Sequence, residues 1–461
     1  ADYLLVFNTE EKGWFYYSPS LVAWTALSKG YGLVEVIRSS DNGVPTYFAD
    51  LQTALETCKA SGSYNEVNIH GDIVLTSQIE LNSDGTGLGN AYLFESLVIN
   101  FNGNEVLNSQ ADDSYCFNIV LVKSTSSTQS LAFTGGGKIT RRNGLSLSRC
   151  VRASGVFNFK TDRKIIQSTT FGSATFLIEK STDNSTPEFI DLGNSVFIGA
   201  SNSASNYNLS LFSDYEYRNF KVVDRSAFTA CRVRSCDAYN FEIVSKTTGE
   251  GLQLFGASED VGNFKINTVS NTGLDATNGF SSIKDFEINS GSGQSLISTG
   301  GEIINGVCKS SNTNRSIFAT NPIKFINVKG YNTSSGRGGV LSITSAVSNQ
   351  IIDNIIFTST GAIASAVSSS GGNPVVITKS RFQSFYDNAG GHALDVQNDV
   401  GGVEILNCDL ICFNASANAV YSASAVNAIV VNSVLSGATT AINANVTITA
   451  STDLGNGNTQ I

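Results

Sequence analysis

The sequence predicts an all-β solenoid, and three observations predict it. An asparagine between apolar residues recurs at Asn219, Asn240, Asn263, Asn305, Asn327, Asn354, Asn407 and Asn432, with Asp285 and Lys379 in the same place. The intervals are 21, 23, 22, 20, 22, 27, 25, 28 and 25 residues, a drift typical of coils whose turns vary in length. The flanks keep register with the mark. Two residues before it stand Val261, Ile283, Ile303, Phe325, Ile352, Ile377, Ile405 and Val430. One residue after it the first coils place Phe220, Phe241, Phe264 and Phe286. Three after it come Val222, Ile243, Ile266, Ile288, Cys308, Phe357, Phe382, Leu410 and Leu435, with Gly330 breaking the column. Composition agrees: 41% of residues are apolar, 15% are charged, and there are 43 Gly against 5 Pro, which suits short strands joined by tight polar turns.

Positions one and three residues after the mark alternate as the inward face of a strand does. The Asn falls where two short strands meet at a corner. Asn tolerates a left-handed backbone there, and stacked Asn side chains can bond from coil to coil. This pattern resembles the right-handed parallel β-helix of the pectate-lyase-like superfamily, over roughly residues 65–450. The resemblance is one of architecture, and architecture does not set function.

The elements follow in chain order. Residues 1–45 lie outside the repeat, are rich in aromatics and hold both tryptophans, Trp14 and Trp24. Leu4, Val6 and Phe15–Tyr17 read as short strands, and Ser20–Ser28 as a helical turn. A piece of this size rarely folds alone, so it packs on the solenoid, on a sister chain or on a larger assembly. Residues 46–60 read as an amphipathic helix with Phe48, Leu51, Leu55 and Cys58 on one face, Thr46 as N-cap and Gly62 closing it. This segment, 46–64, is expected to cap the open edge of the first coil. Alternation then begins with Val67, Ile69, Ile73, Leu75, Ile79 and Leu81. The stretch LVINFNGNEVLN (97–108) resembles the first coils of viral and bacterial β-helices.

Residues 111–216 are less regular, although SLAFTGGGKIT and PEFIDLGNSVFIG read as coil strands. They carry the basic cluster Lys138, Arg141, Arg142, Arg149, Arg152, Lys160, Arg163 and Lys164, read as a solvated face or a patch for an acidic glycan or neighbour. Beyond residue 300 the coils lose charge and fill with Ala, Ser, Gly and Val, a smooth surface suited to lateral packing. The tail 451–461 has no capping helix.

Net charge is −10, which argues against general nucleic-acid binding. No run is long and apolar enough for a membrane helix, so membrane insertion is not expected. The eight cysteines are scattered and read as core thiols used as small hydrophobes. With only His70 and His392, no metal-ligand spacing appears, and no metal or other cofactor is expected. The chain starts at Ala1 and has no Met; removal of an initiator Met explains this simply, though a cleaved signal peptide would leave the same start.

Sugar-cleaving β-helices use two or three carboxylates, or a base with a cation. The Asn-Thr-Asp run, Asp-Asp pair and Gly-His-Gly of the polygalacturonase pattern do not occur; Gly391-His392-Ala393 is a partial echo. The acid-rich stretch is Asp214, Glu216, Asp224, Asp237, Glu242, Glu250, Glu259 and Asp260. Asp237 and Asp260 each stand three residues before a mark, about 5 Å apart by strand spacing, the separation of a retaining carboxylate pair. Asp237, Glu250 and Asp260 are therefore the candidate catalytic residues, against the reading of solvated turn acids with Arg232 and Arg234 as neutralising neighbours.

The chain resembles bacteriophage tailspikes, tail fibres and other virion appendages. The resemblance implies a homotrimer, attached to other virion proteins through residues 1–45, that binds a host surface glycan or protein. It also implies synthesis in the host cytoplasm and a place in the virion. The alternatives are a polysaccharide depolymerase on the same scaffold, hydrolase or lyase, and a secreted bacterial adhesin at the cell surface.

Overall fold

The computed structural model describes residues 5–8, 13–18, 23–26, 33–59, 64–82, 94–121, 129–142, 150–155, 157–161, 165–168, 176–179, 190–199, 207–212, 215–225, 229–256, 258–311, 313, 315–334, 337–343, 350–361, 363–369, 375–386, 391–397, 402–414, 416–422, 428–436 and 452–453. The chain is nearly all β and builds a parallel β-solenoid. It divides into two compact units, Ala1–Lys221 and Val222–Ile461.

In the first unit, Leu5–Asn8, Gly13–Ser18 and Ala23–Ala26 form a three-stranded antiparallel sheet. The helical turn expected at Ser20–Ser28 is therefore corrected: a strand runs through its middle, paired Phe15 to Ala26 and Tyr17 to Trp24. The cap segment is corrected too. Thr46–Phe48 is a strand antiparallel to Val34–Arg38, and the helix occupies only Leu51–Glu56. Its N-cap is Asp50, whose carboxylate accepts from the Thr53 N–H at 2.7 Å, rather than Thr46. Two residues of β-prone Tyr-Phe beside a ready partner strand outweigh the helical spacing. Gly62 lies outside the described residues. The helix buries Leu51, Ala54 and Leu55. Its Gln52 amide holds the backbone N–H of Glu80 at 3.0 Å and the carbonyl at 3.5 Å, on the first strand of its sheet.

Three parallel strand columns follow. One runs Tyr64–Ile69, Ser96–Asn100, Gln129–Thr134 and Phe157–Thr161; the second runs Ile73–Leu75, Glu105–Asn108, Lys138–Arg141 and Ile165–Ser168. The third stacks Ile79–Asn82, Phe117–Leu121, Val151–Gly155, Phe176–Glu179 and Leu209–Phe212. Inward alternation buries Val67, Ile69, Ile73, Leu75, Ile79 and Leu81 as the sequence predicts. Phe101, Phe117 and Phe133 meet at the centre with ring centroids 5.1–6.1 Å apart.

The described strands of the stretch 111–216 thus lie in coils where the sequence looked irregular. The basic cluster is corrected at Arg141, which is fully buried. Its guanidinium donates to the carbonyls of Asn108, Gln110, Asp112, Ser114 and Arg142 at 2.7–3.2 Å and to the Asp112 carboxylate at 3.0 Å. A buried cation needs that many acceptors to offset its lost hydration, and a corner loop with inward carbonyls supplies them. Arg149, Arg163 and Lys164 lie outside the described residues, as does the side chain of Lys160.

The second unit carries the regular coils. Strands Asp237–Ser245, Asp260–Thr268, Ser282–Ser290, Glu302–Ser310 and Lys324–Asn332 stack in register. Each bends at its fourth residue, the ladder mark. All ten marks have positive φ, from 49° at Asn432 to 62° at Asn219, as an Asn corner requires. In the second unit the amides donate to the coil below: Asn263 to Asn240 at 2.6 Å, Asn305 to Asp285 at 3.0 Å, Asn354 to Asn327 at 2.5 Å and Asn432 to Asn407 at 2.6 Å. Phe241, Phe264 and Phe286 stack inside, 4.8 and 5.7 Å between centroids and nearly parallel. From residue 351 each strand splits at the mark, as in Ile351–Asp353 and Ile356–Ser359. The opposite sheet stacks Cys231–Arg234, Leu252–Leu254, Leu274–Ala276, Leu296–Thr299, Arg315–Thr320, Arg337–Ile343, Ile363–Ser369, His392–Gln397 and Val420–Tyr421. Most of the tail 451–461 lies outside the described residues.

Two features escaped the sequence reading. Asn194, φ 58°, is a further mark one coil earlier, with Leu192 two before it and Phe197 three after it. A second polar corner also lines the end of the marked strands. Thr268 and Ser290 both donate to the Asn271 carbonyl at 2.9 and 2.8 Å, and Ser310 donates to Gly293 at 2.7 Å. Buried hydroxyls there satisfy turn carbonyls that water cannot reach.

Candidate functional site

The candidate acids occupy two different corners. Asp237 and Asp260 begin successive strands of the marked sheet, stacked as the period predicts. Their side chains are engaged with the coil above. Asp237 Oδ1 accepts from the Asp260 backbone N–H at 2.8 Å, and Asp260 Oδ1 accepts from the Ser282 hydroxyl. Arg232 and Arg234 lie over the Phe255 ring, 4.2 and 5.2 Å from its centroid. Glu250 stands before Leu252–Leu254, so a strand of the opposite sheet separates it from Asp260. Thr229 donates to its carboxylate at 3.0 Å. Burial holds the Glu250 carboxyl above the ordinary range, and the charge of Asp275 adds to the effect. Asp224 and Glu259 are buried in the wall, and Glu259 accepts from the Ser235 N–H at 2.7 Å. Asp214 lies outside the described residues.

A different constellation stands on the outward side of the opposite sheet, in the coils where charge is scarce. Arg315 and Arg337 are register partners on neighbouring coils. The Arg315 guanidinium lies 4.1 Å over the ring of Phe318. Arg337 reaches across the next coil to Asp395, with Nη2 3.9 Å from Oδ2. Asp395 is 4% exposed and also accepts from the Gln397 side-chain amide. Burial raises its pKa, while Gln397 and Arg337 pull the other way. Beside it His392 stacks flat on Tyr421, 4.1 Å between centroids and 2° from parallel. The Asn418 N–H donates to His392 Nδ1 at 3.0 Å, which places the neutral ring's proton on Nε2. Burial lowers the His392 pKa, favouring that neutral form.

This strip combines the half-buried rings of Phe318 and Tyr421, the buried His392, planar cations, an amide and a carboxylate over five successive coils. Such groups bind hydroxyl-bearing ligands through stacking and paired hydrogen bonds. Comparison with protein-family profiles, with curated proteins and with solved structures gives no match to this chain. Among the described residues, no group of three or more His, Cys, Asp or Glu is placed to hold a metal ion. No helix among them is long and apolar enough to cross a membrane.

On the marked sheet the late coils carry a second exposed feature. Phe385 and Phe413, 43% and 58% exposed, stack 4.4 Å apart and 11° from parallel. Ile351 and Ile429 are exposed on the same sheet.

The sequence reading named His392 only as an echo of a catalytic pattern, and it passed over Arg315, Arg337 and Asp395. A signal for the arginines was present: each stands ten residues after a mark, Asn305 and Asn327. Equal offsets from a coil mark mean equal places on neighbouring coils.

Proposed function

We propose that this chain is a virion appendage of the tailspike or tail-fibre kind, on a pectate-lyase-like β-helix, that binds a host surface glycan or protein. The observation that carries the reading is the strip of Arg315, Phe318, Arg337, Asp395, His392 and Tyr421 on a scaffold otherwise smooth and weakly charged in these coils. The engagement of Asp237 and Asp260 with their neighbouring coils supports binding over cleavage. The chain acts as a homotrimer on the particle, made in the host cytoplasm, with residues 1–45 as its attachment segment and the short helix as the cover of the first coil.

Light scattering of the purified chain, before and after mild SDS, tests the assembly; an SDS-resistant trimer is expected, and a monomer would remove that part. Screening the chain against immobilised surface glycans tests the binding.

A polysaccharide depolymerase is the second reading, favoured by one observation: burial raises the pKa of the Glu250 carboxyl, and the Asp275 charge nearby adds to the effect. A carboxyl with a raised pKa beside a second carboxylate is what glycoside cleavage asks for. Cleavage of a bound glycan by the native chain, abolished in a folded Glu250→Gln variant, would favour it.

A further inference from the structure

We propose that the outward strip selects an acidic saccharide, whose carboxylate is held between the guanidinium groups of Arg315 and Arg337. The inference rests on the glycan-binding reading and names the class of sugar.

Several cations of these coils are matched by a carboxylate on a neighbouring coil. Lys324 meets Glu302 at 2.6 Å, Lys265 meets Glu287 at 3.1 Å, and Arg381 forks onto Asp409 at 2.7 and 3.1 Å. Arg315 has no carboxylate partner among the described residues, and its guanidinium lies over the Phe318 ring. Arg337 shares Asp395 with Gln397 at a distance too long for a hydrogen bond. Two cations one strand spacing apart, about 4.8 Å, thus face a single distant carboxylate. Burial and the charge of Arg337 both lower the Arg315 pKa, as expected of like charges held together. Arg337 remains 35% exposed.

An anion between the two groups would relieve that repulsion and accept forked hydrogen bonds from each. A planar carboxylate fits the fork. Stacking on Phe318 fixes the Arg315 plane and leaves its N–H edge for a ligand. The ring of Tyr421 and the Gln397 side chain then stand along the same face for the sugar's apolar side and hydroxyls, while the buried Asp395 carboxylate holds the Gln397 amide. A neutral sugar would leave the two cations uncompensated, so the arrangement discriminates by charge.

The test uses the full chain and five probes: oligogalacturonate, oligosialic acid, the carboxyl-reduced neutral form of each, and a sulfated oligosaccharide as control. Binding is followed by titration calorimetry at low and high salt. One acidic probe is expected to bind, with affinity falling at least about tenfold on carboxyl reduction, the ratio for losing one charge-assisted hydrogen bond. Arg315→Gln and Arg337→Gln should cause losses of similar size with unchanged thermal melts. Arg337→Lys, which keeps charge and loses the fork, should fall between. If neutral and acidic forms bind alike, or the sulfated control binds best, the carboxylate assignment fails while glycan binding stands. If no saccharide binds in any form, both the inference and the glycan reading fall.

Discussion

The side-chain amide of Asn327 donates to Asn305 Oδ1 at 2.9 Å, one coil below. Both residues have φ 56°, so each corner needs a residue that tolerates a left-handed backbone and can also bond along the axis. The two requirements can be separated. Asn305→Gly keeps the backbone and removes the side-chain bonds to Asp285 and Asn327. Asn305→Ala loses those bonds and adds backbone strain of about 1–2 kcal/mol. Thermal melts at one scan rate should therefore rank native above Gly and Gly above Ala. An Ala variant as stable as the Gly variant would show that the corner is not strained.

The interior phenylalanine column ends at Phe286 because of the glycine above it. A Cβ on Gly306 would lie 1.9 Å from the Phe286 ring. Gly306→Ala should destabilise by about 1–3 kcal/mol, as overpacking does. In a Phe286→Leu background the same change should cost less. A double-mutant cycle in urea reads the coupling, and additive effects would mean the ring has room to move.

Glu250 gives a pH dependence of definite sign. Burial and Asp275 raise its folded-state pKa, so the folded chain holds this proton more tightly than the unfolded chain does. The associated stability is present at acid pH and is lost as pH rises from the unfolded value through the folded one. Glu250→Gln can still accept from Thr229 and has no charge to desolvate. Its melting temperature should exceed the native value by a margin that widens from acid toward neutral pH. Parallel curves would place the carboxylate in solvent.

All eight cysteines are buried thiols outside any disulfide. Burial pushes Cys58 and Cys408 up to about 11 and raises Cys231 and Cys308 further. Thiolates, not thiols, alkylate. At mildly alkaline pH, iodoacetamide should leave the native chain unmodified by mass and label all eight sites after unfolding. Labelling of Cys58 in the native state would mean that the segment around the helix opens.

The solenoid was legible because its physics repeats. Stacked coils put the same requirement at the same place, so Asn at the corner and Ile or Phe beside it recur in sequence. Phe220, Phe241, Phe264 and Phe286 mark an inward column by their spacing alone. Legibility failed where the requirement is local to one place. Arg141 reads as one surface cation among eight until the carbonyls around it are seen. Thr46–Phe48 carries helical spacing, yet strand Val34–Arg38 lies beside it and takes it as a partner.

For the site the division is similar. Offsets from the marks reveal that Asp237 lies under Asp260 and that Arg315 lies under Arg337. They do not reveal what each side chain does with its neighbour: Asp237 turns to a backbone N–H, while Arg337 reaches over a whole coil to Asp395. The sequence by itself determined the coil, its corner residue and its inward columns, because one period writes them many times. Only the tertiary structure decided which outward charges meet, because that depends on turns of unequal length and on side chains that cross from coil to coil.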